Sequence, residues 1–316
     1  VSAGYDGTIR RWNLETGEEI VTHAGHRGEV RASTWLPDVA ALASAGEDGR
    51  ILVWSPEKTP RELLSLGQPA DGLTYAQGHL VTVTRDEGQA VVVPLAGGAR
   101  LDLDLRRGGE RTASVGTEGE GFLVTRNVGG ETFAWSLPDG HERGHAPGTG
   151  SSGHYWPLVQ SCGPDVILCD EARGPEAMSQ LQVRSLGSPE AAPRWVRLVA
   201  DTVTGVACDA ERERVFVCTG QGSCEALDLE DGRTLWRVEV PQSFCIALSP
   251  AGDFLVLGHD NGDASSILDP ATGELLGNLP PCHAGTVRGL SFAADGRLAS
   301  WGNNNLLHVW RIRRQP

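Results

Sequence analysis

The chain has 316 residues, 40% of them hydrophobic and 22% charged, with a formal net charge of −14. That balance is globular, and no apolar run approaches the ~20 residues that a membrane-spanning helix needs. So acidic a chain excludes the phosphate backbone of nucleic acid as a default partner and favours neutral or basic protein partners, while 41 Gly and 18 Pro favour many short strands over long helices.

Read in chain order, the elements are one unit repeated. The chain opens on VSAGYDGTIRRW: a small-residue strand, an Asp-Gly turn and a strand ending in Trp12. The clearest full unit runs from Glu18 to Trp54. EEIVTHAG, RASTWL, ALASAG and RILVW are its strands, and GHRGEV, PDVA and EDG are its turns. Asp-Gly and Asn-Gly supply the positive φ that two-residue hairpins demand, and they recur at Asp6-Gly7, Asp48-Gly49 and Asn261-Gly262. After Trp12 and Trp54, similar strands are anchored on Val93, Trp135, Val183, Leu227, Ile267 or Leu268, and Trp310. Their period of about 42 residues is that of a repeat architecture, and no segment sustains a 3.6-residue apolar period.

A four-stranded antiparallel sheet cannot bury both faces alone, whereas radial stacking lets each sheet cover the next. The expected fold is all-β: a β-propeller of four-stranded antiparallel blades, eight favoured and seven the alternative. It would be one domain over residues 1–316, starting mid-repeat at residue 1. In the seven-blade version residues 19–24 would complete the last blade. The only Met is Met178, so the expectation is a domain cut from a longer polypeptide.

Gly25-His26, then Asp48, then Trp54 resemble the WD40 repeat, with its GH dipeptide, turn Asp and terminal Trp. The resemblance implies a buried hydrogen-bond chain in each well-formed repeat. Its members would be His26, Ser44, Asp48 and Trp54, and near the C-terminus His283, Ser300, Asn304 and Trp310. In the second set Asn replaces Asp and CHAG replaces the GH dipeptide, so that chain is expected to be weaker. The middle repeats keep the spacing but lose most of the pattern. Such sets have the composition of a Ser-His-Asp triad, but geometry rather than composition defines one, and the resemblance places these groups inside a blade. The family also docks partners on one rim of the ring. Carried over by position, the rim residues are Glu29, Arg31, Glu47, Thr286 and Arg288, and by looser alignment Asp71, Arg111, Trp156, Thr204 and Phe244. Aromatic and Arg residues at a rim are hot-spot composition.

Seven cysteines, an odd number with no C-x-x-C pair, read as reduced and mostly buried thiols. His141, His145 and His154 lie in a Gly/Ser-rich stretch whose spacing matches no metal-ligand signature. GTGSSG lacks the Lys of a phosphate loop. No catalytic residue, cofactor or metal is therefore expected. The expected function is a non-catalytic protein-interaction or sensor/docking propeller in a larger signalling or regulatory protein, with a bacterial cast to its composition and a cytoplasmic location. Its partner would be a protein or another domain of the same polypeptide, with no nucleic acid and no membrane. The alternatives are a propeller enzyme or small-ligand binder using the central channel, and a structural subunit of a larger assembly.

Overall fold

The computed structural model describes residues 2–3, 7–12, 19–36, 41–55, 59–76, 78–84, 89–104, 112–116, 122–127, 131–136, 140–146, 158–171, 178–185, 188, 191–260, 264–281, 283, 285–293, 295–302 and 307–313. The fold is an all-β propeller architecture of antiparallel sheets, each taken from a contiguous stretch of chain.

An N-terminal sheet joins β1 (Ser2–Ala3), β2 (Thr8–Trp12) and β3 (Glu19–Ala24). Blade 1 is β4 (Val30–Leu36), β5 (Ala41–Gly46), β6 (Arg50–Trp54) and β7 (Arg61–Ser65). Blade 2 is β8 (Ala70–Ala76), β9 (His79–Thr84), β10 (Gln89–Pro94) and β11 (Leu101–Asp104). Blade 3 is β12 (Thr112–Gly116), β13 (Phe122–Asn127), β14 (Thr132–Ser136) and β15 (Glu142–Ala146). Blade 4 is β16 (Leu158–Cys162), β17 (Asp165–Glu171), β18 (Ser179–Ser185) and β19 (Trp195–Val199). Blade 5 is β20 (Val203–Asp209), β21 (Arg214–Thr219), β22 (Ser223–Asp228) and β23 (Thr234–Glu239). Blade 6 is β24 (Ser243–Leu248), β25 (Leu255–His259), β26 (Ser266–Leu268) and β27 (Leu275–Asn278). A C-terminal sheet joins β28 (Val287–Phe292), β29 (Arg297–Gly302) and β30 (Leu307–Arg311).

Among the described residues the fold therefore has six four-stranded blades, and the expectation of eight, or alternatively seven, is corrected. Counting Trp-type anchor strands counts every sheet, but a blade needs four strands. Among the described residues the two terminal sheets have three each. The seven-blade variant also fails on pairing. Residues 19–24 lie beside β2, with Thr8 opposite Ala24 and Arg11 opposite Val21, rather than on the last sheet.

The chain divides into two compact units, Val1–Asp165 with Arg184–Ala192, and Val166–Val183 with Pro193–Pro316. Within the first, the leading strands β4, β8 and β12 stand side by side, and within the second so do β20, β24 and β28. Middle strands are buried on both faces, so they read as unbroken small or apolar runs. In β5, Ala41, Ala43 and Ala45 pack towards Leu80 and Ala70 of blade 2, while Leu42 packs with Ile9, Leu52 and Trp54. In the second unit Phe216, Cys218 and Ala226 of blade 5 meet Leu255, Leu257 and Leu268 of blade 6. Val256 and Ile267 meet Leu298 of the C-terminal sheet.

Candidate interaction rim

The polar chain of blade 1 runs from the loop before β4 through β5 to β6. His26 Nδ1–H donates to Asp48 Oδ1 (2.9 Å), which leaves Nε2 to accept from the Ser44 hydroxyl (2.7 Å). Ser44 Oγ in turn accepts the Trp54 indole N–H (2.6 Å). Asp48 also accepts the amides of Arg27 (2.8 Å) and Arg50 (3.1 Å) and the Arg50 Nε (3.0 Å). Burial opposes its charge, but the Arg27 amide, His26 and Arg50 outweigh that and hold the carboxyl down to about 2. The Arg50 guanidinium continues to the Gly25 carbonyl, tying the turn to the incoming loop. Ser44 is fully buried with its hydroxyl committed on both sides, so it cannot serve as a nucleophile, which must be exposed to substrate. The chain is a structural spine, and its interior members are satisfied by one another.

In the C-terminal sheet His283 Nε2 lies 3.0 Å from Ser300 Oγ, which accepts the Trp310 N–H at 2.9 Å. Asn304 lies outside the described residues. His308 fills the neighbourhood instead, edge-on to His283 at 5.0 Å and stacked on Trp310 at 5.7 Å.

Two further bonding systems were not read from the sequence. In blade 6, His259 Nδ1–H donates to Ser243 Oγ (3.0 Å), whose hydroxyl donates to the Pro241 carbonyl (2.9 Å). His259 Nε2 accepts the Ser266 amide (3.2 Å), and the Ser266 hydroxyl reaches Asn278 Oδ1 at 3.3 Å. This relay crosses all four strands, β24 to β27, but its Gly258-His259 dipeptide ends the second strand instead of lying in the loop before the first, where Gly25-His26 stands. The other system links blades. Trp195 at the start of outer strand β19 donates its N–H to the Leu229 carbonyl (2.9 Å) and lies on Gly232. Trp236 of outer strand β23 donates to the Pro270 carbonyl (3.1 Å) and lies on Gly273. A Cβ on Gly232 would come within 2.7 Å of the Trp195 ring, and one on Gly273 within 2.6 Å of Trp236. Both glycines also hold positive φ, 73° and 75°, so nothing else fits. A sequence signal existed: Thr16-Gly17, Asp231-Gly232 and Thr272-Gly273 each stand just ahead of an outer strand.

The rim residues share a geometric feature. Pairing between the first and second strands skips one residue in five sheets: between Val30 and Ala32, Ala70 and Gly72, Val203 and Gly205, Ser243 and Cys245, and Val287 and Gly289. The skipped residues are Arg31, Asp71, Thr204, Phe244 and Arg288. A bulge frees its residue from the ladder and re-aims the side chain. Arg31 is clamped by Glu29 Oε2 (3.0 Å) and Glu47 Oε1 (3.5 Å), and the Glu47 amide donates to the Glu29 carbonyl (2.9 Å). Thr204 donates to the Ser243 carbonyl at 2.6 Å. Arg288 is exposed and sits over the Phe244 ring, 5.8 Å from its centroid. Thr286 is buried, its hydroxyl given to Asp260. Asp71 lies in β8 with its side chain outside the description, and Arg111 and Trp156 lie outside the described residues altogether.

Of the three loop histidines, His145 contacts Glu142 at 3.4 Å and stacks on Phe133 at 5.9 Å. His141 is exposed, and His154 lies outside the described residues. Among the described residues no group of three or more His, Cys, Asp or Glu is placed to hold a metal ion. Cys162 and Cys208 are disulfide-bonded, which corrects the expectation of reduced thiols throughout, while Cys169, Cys218, Cys224 and Cys245 are free. Burial pushes the Cys218 and Cys245 thiols up to about 12 and raises Cys224 as well.

Polar spine, repeat period and stacked antiparallel blades together define a repeat-propeller protein, and the chain carries a WD40-repeat match in its first blade and is similar to WD-repeat proteins. The model for the WD domain, G-beta repeat, matches residues 17–55, which contain the blade 1 spine. A second model, described as outer membrane protein assembly factor BamB, matches residues 182–278, the stretch of the Trp–Gly contacts. The guanine nucleotide-binding protein subunit beta of Zea mays is 22% identical over 92% of this chain and 82% of its own length. Coronin-7 of Bos taurus is 34% identical over 33% of this chain, a match that spans only 13% of coronin-7. Among solved structures, the computationally designed Ika8 protein superposes with a TM-score of 0.82 at 21% identity, covering 99% of this chain and 92% of that one. A chain of the mitotic checkpoint complex superposes with a TM-score of 0.67 at 15% identity, over 90% and 87%. These likenesses establish the fold.

Proposed function

We propose that this chain is a non-catalytic docking module whose row of bulge residues presents partner-binding side chains at fixed positions. The observation that carries the reading is the recurrence of one bulge at the same point of five first strands, filled by four different residue types. The scaffold is constant and the displayed residue varies, which is how a recognition surface is built on a repeat. Support comes from relatives of the same architecture. WD40 propellers such as G-protein β subunits and coronins are typically protein-interaction scaffolds rather than enzymes. Ser44, the best-placed nucleophile by composition, is locked inside its blade. On this reading the partner is a protein or another domain of the same polypeptide in a signalling or regulatory context.

The test is capture of partners from source-cell lysate by the wild-type chain and by a variant carrying Thr204→Ala, Phe244→Ala and Arg288→Ala, with melting temperatures compared first. A partner retained by wild type and lost by an equally stable variant supports the reading. An identical set of captured proteins in both moves binding off this rim and overturns it.

A further inference from the structure

We infer that Cys218 and Cys224 of blade 5 are a redox-active dithiol, which a low-molecular-weight disulfide oxidises to a covalent bond across β21 and β22. Ladder register carries this, independently of the docking reading. Cys218 stands directly opposite Cys224, on either side of the turn from Thr219 to Ser223. Opposed residues of an antiparallel pair share a face, with Cα atoms about 4.5 or about 5.5 Å apart, and both values lie within the about 4.4–6.8 Å that a disulfide spans. Both thiols are free and fully buried, in one apolar cluster with Phe216, Leu255, Leu257 and Leu268. Cys245 of blade 6 is near enough to Cys218 to feel its charge, but its thiol points at the Val287 carbonyl (3.5 Å), towards the C-terminal sheet rather than blade 5.

In the reduced chain the Cys218 sulfur leans the other way, over Gly205, its partner on β20. A Cβ on Gly205 would come within 2.9 Å of that sulfur, so glycine is what leaves the thiol its place. There the sulfur meets the Thr204 hydroxyl at 3.6 Å. Thr204 gives its own proton to the Ser243 carbonyl (2.6 Å), so the thiol is the donor in the sulfur contact. Rotation of Cys218 about χ1 carries the sulfur from Gly205 towards Cys224. The bond then forms by two thiol–disulfide exchanges. The Cys218 thiolate attacks one sulfur of the small disulfide, breaks its S–S bond and releases one small thiol. The Cys224 thiolate attacks the Cys218 sulfur of the mixed disulfide and releases the second. The protein dithiol loses two electrons and two protons, and the small disulfide gains both as two small thiols. Oxidation also takes a hydrogen-bond donor from Thr204, the bulge residue of blade 5, and staples the hairpin beside it. Burial keeps both protons on their sulfurs, so blade 5 must open locally before either exchange, and the equilibrium is what a test must read.

The probe is glutathione. The full chain is equilibrated without denaturant in mixtures of its oxidised and reduced forms, quenched in acid, then alkylated in denaturant and mapped as non-reduced peptides. The expected result is a peptide linked through Cys218 and Cys224, with loss of both free thiols, in mixtures that keep Cys162 and Cys208 disulfide-bonded. Excess reduced glutathione should return both thiols. Cys224→Ser should abolish the linked peptide and leave Cys218 free or bound to glutathione, whereas Cys245→Ser should leave the link unchanged. Cys218 and Cys224 still reduced in every mixture that keeps Cys162 and Cys208 bonded, Cys218 linked to Cys245 instead, or a link that forms only in denaturant would each overturn the inference.

Discussion

Blade 1 and blade 5 have the same four antiparallel strands, yet they are fastened by opposite means. Blade 1 is tied internally: one His, one Ser, one Asp and one Trp bond in sequence, with the Asp charged and nearly enclosed. Blade 5 has no such chain among its bonds. It is tied outward, by the Trp195 ring lying on its Gly232 turn and by its own Trp236 lying on the Gly273 turn of blade 6. Its interior holds Phe216 and two buried thiols, with a local Thr219–Ser223 hydroxyl pair (3.0 Å) and a Glu225 carboxylate bonded to Arg197 of the preceding blade (2.8 Å) among its buried polar groups. The lesson is that a propeller repeat needs a device to fix its turns, and either an internal polar spine or an aromatic contact to the next blade will do.

The comparison can be broken or sharpened by experiment. The largest effect should be in thiol chemistry. With Cys218 and Cys245 pushed up to about 12, alkylation of the native chain at pH 8 should run about a thousandfold slower than for an ordinary exposed thiol. Peptide mapping after iodoacetamide treatment reads this directly, and rapid native labelling would mean that the interiors of blade 5 (Cys218) and blade 6 (Cys245) open readily. Next, Trp236→Ala removes both a ring packed on Phe216, at 6.0 Å, and the bond to Pro270. It should cost about 3 kcal/mol in chemical denaturation. A loss well under 1 kcal/mol would demote the aromatic contact to decoration.

For the polar spine, Ser44→Ala strands the buried Trp54 N–H and His26 Nε2 together and should cost about 2 kcal/mol. The Asp48 carboxyl, lowered from 3.8 to about 2, gives this spine a pH signature. A depressed carboxyl contributes stability that is full above the unfolded value and lost as pH falls through the folded one. About 2 kcal/mol should therefore vanish between pH ~4 and ~2, and Asp48→Asn should remove that part of the acid dependence. No variant of blade 5 should alter it. The smallest effect belongs to the rim: Arg31→Ala breaks two partly exposed ion pairs and should shift stability by less than about 1 kcal/mol.

The fold was legible because its signal is periodic. Trp54, Trp135 and Trp310 fall in the third strand of their sheets, as do the apolar stand-ins Val93, Val183 and Leu227, while Trp12 ends the middle strand of the N-terminal sheet. The spine of blade 1 was legible because Gly25-His26, Asp48 and Trp54 keep a fixed order. The number of full blades was not, because anchor strands mark a sheet whether or not its first or fourth strand is present. The Trp195 contact was hidden for a different reason: its acceptor, Leu229, lies 34 residues away in the next blade, where no single-repeat pattern can see it. The relay through His259 was hidden because a second-strand His looks like any polar residue among Leu255, Val256 and Leu257. Position placed Arg31, Thr204 and Arg288 at equivalent points of their first strands but could not foresee that Arg31 meets Glu29 and Glu47 or that the Thr286 hydroxyl goes to Asp260.

The recurring bulge has a further consequence for how such a surface can change. A residue inside a ladder is constrained by its opposite number, by pleat and by burial, so altering it disturbs the sheet. A residue that the pairing skips is released from its opposite number, and its side chain answers instead to local contacts such as the carboxylates around Arg31. Arg, Asp, Thr and Phe all occupy that position here, in sheets whose remaining register is the same. The skipped position of a first strand can thus take side chains of different size and charge while the pairing on either side of it stays the same.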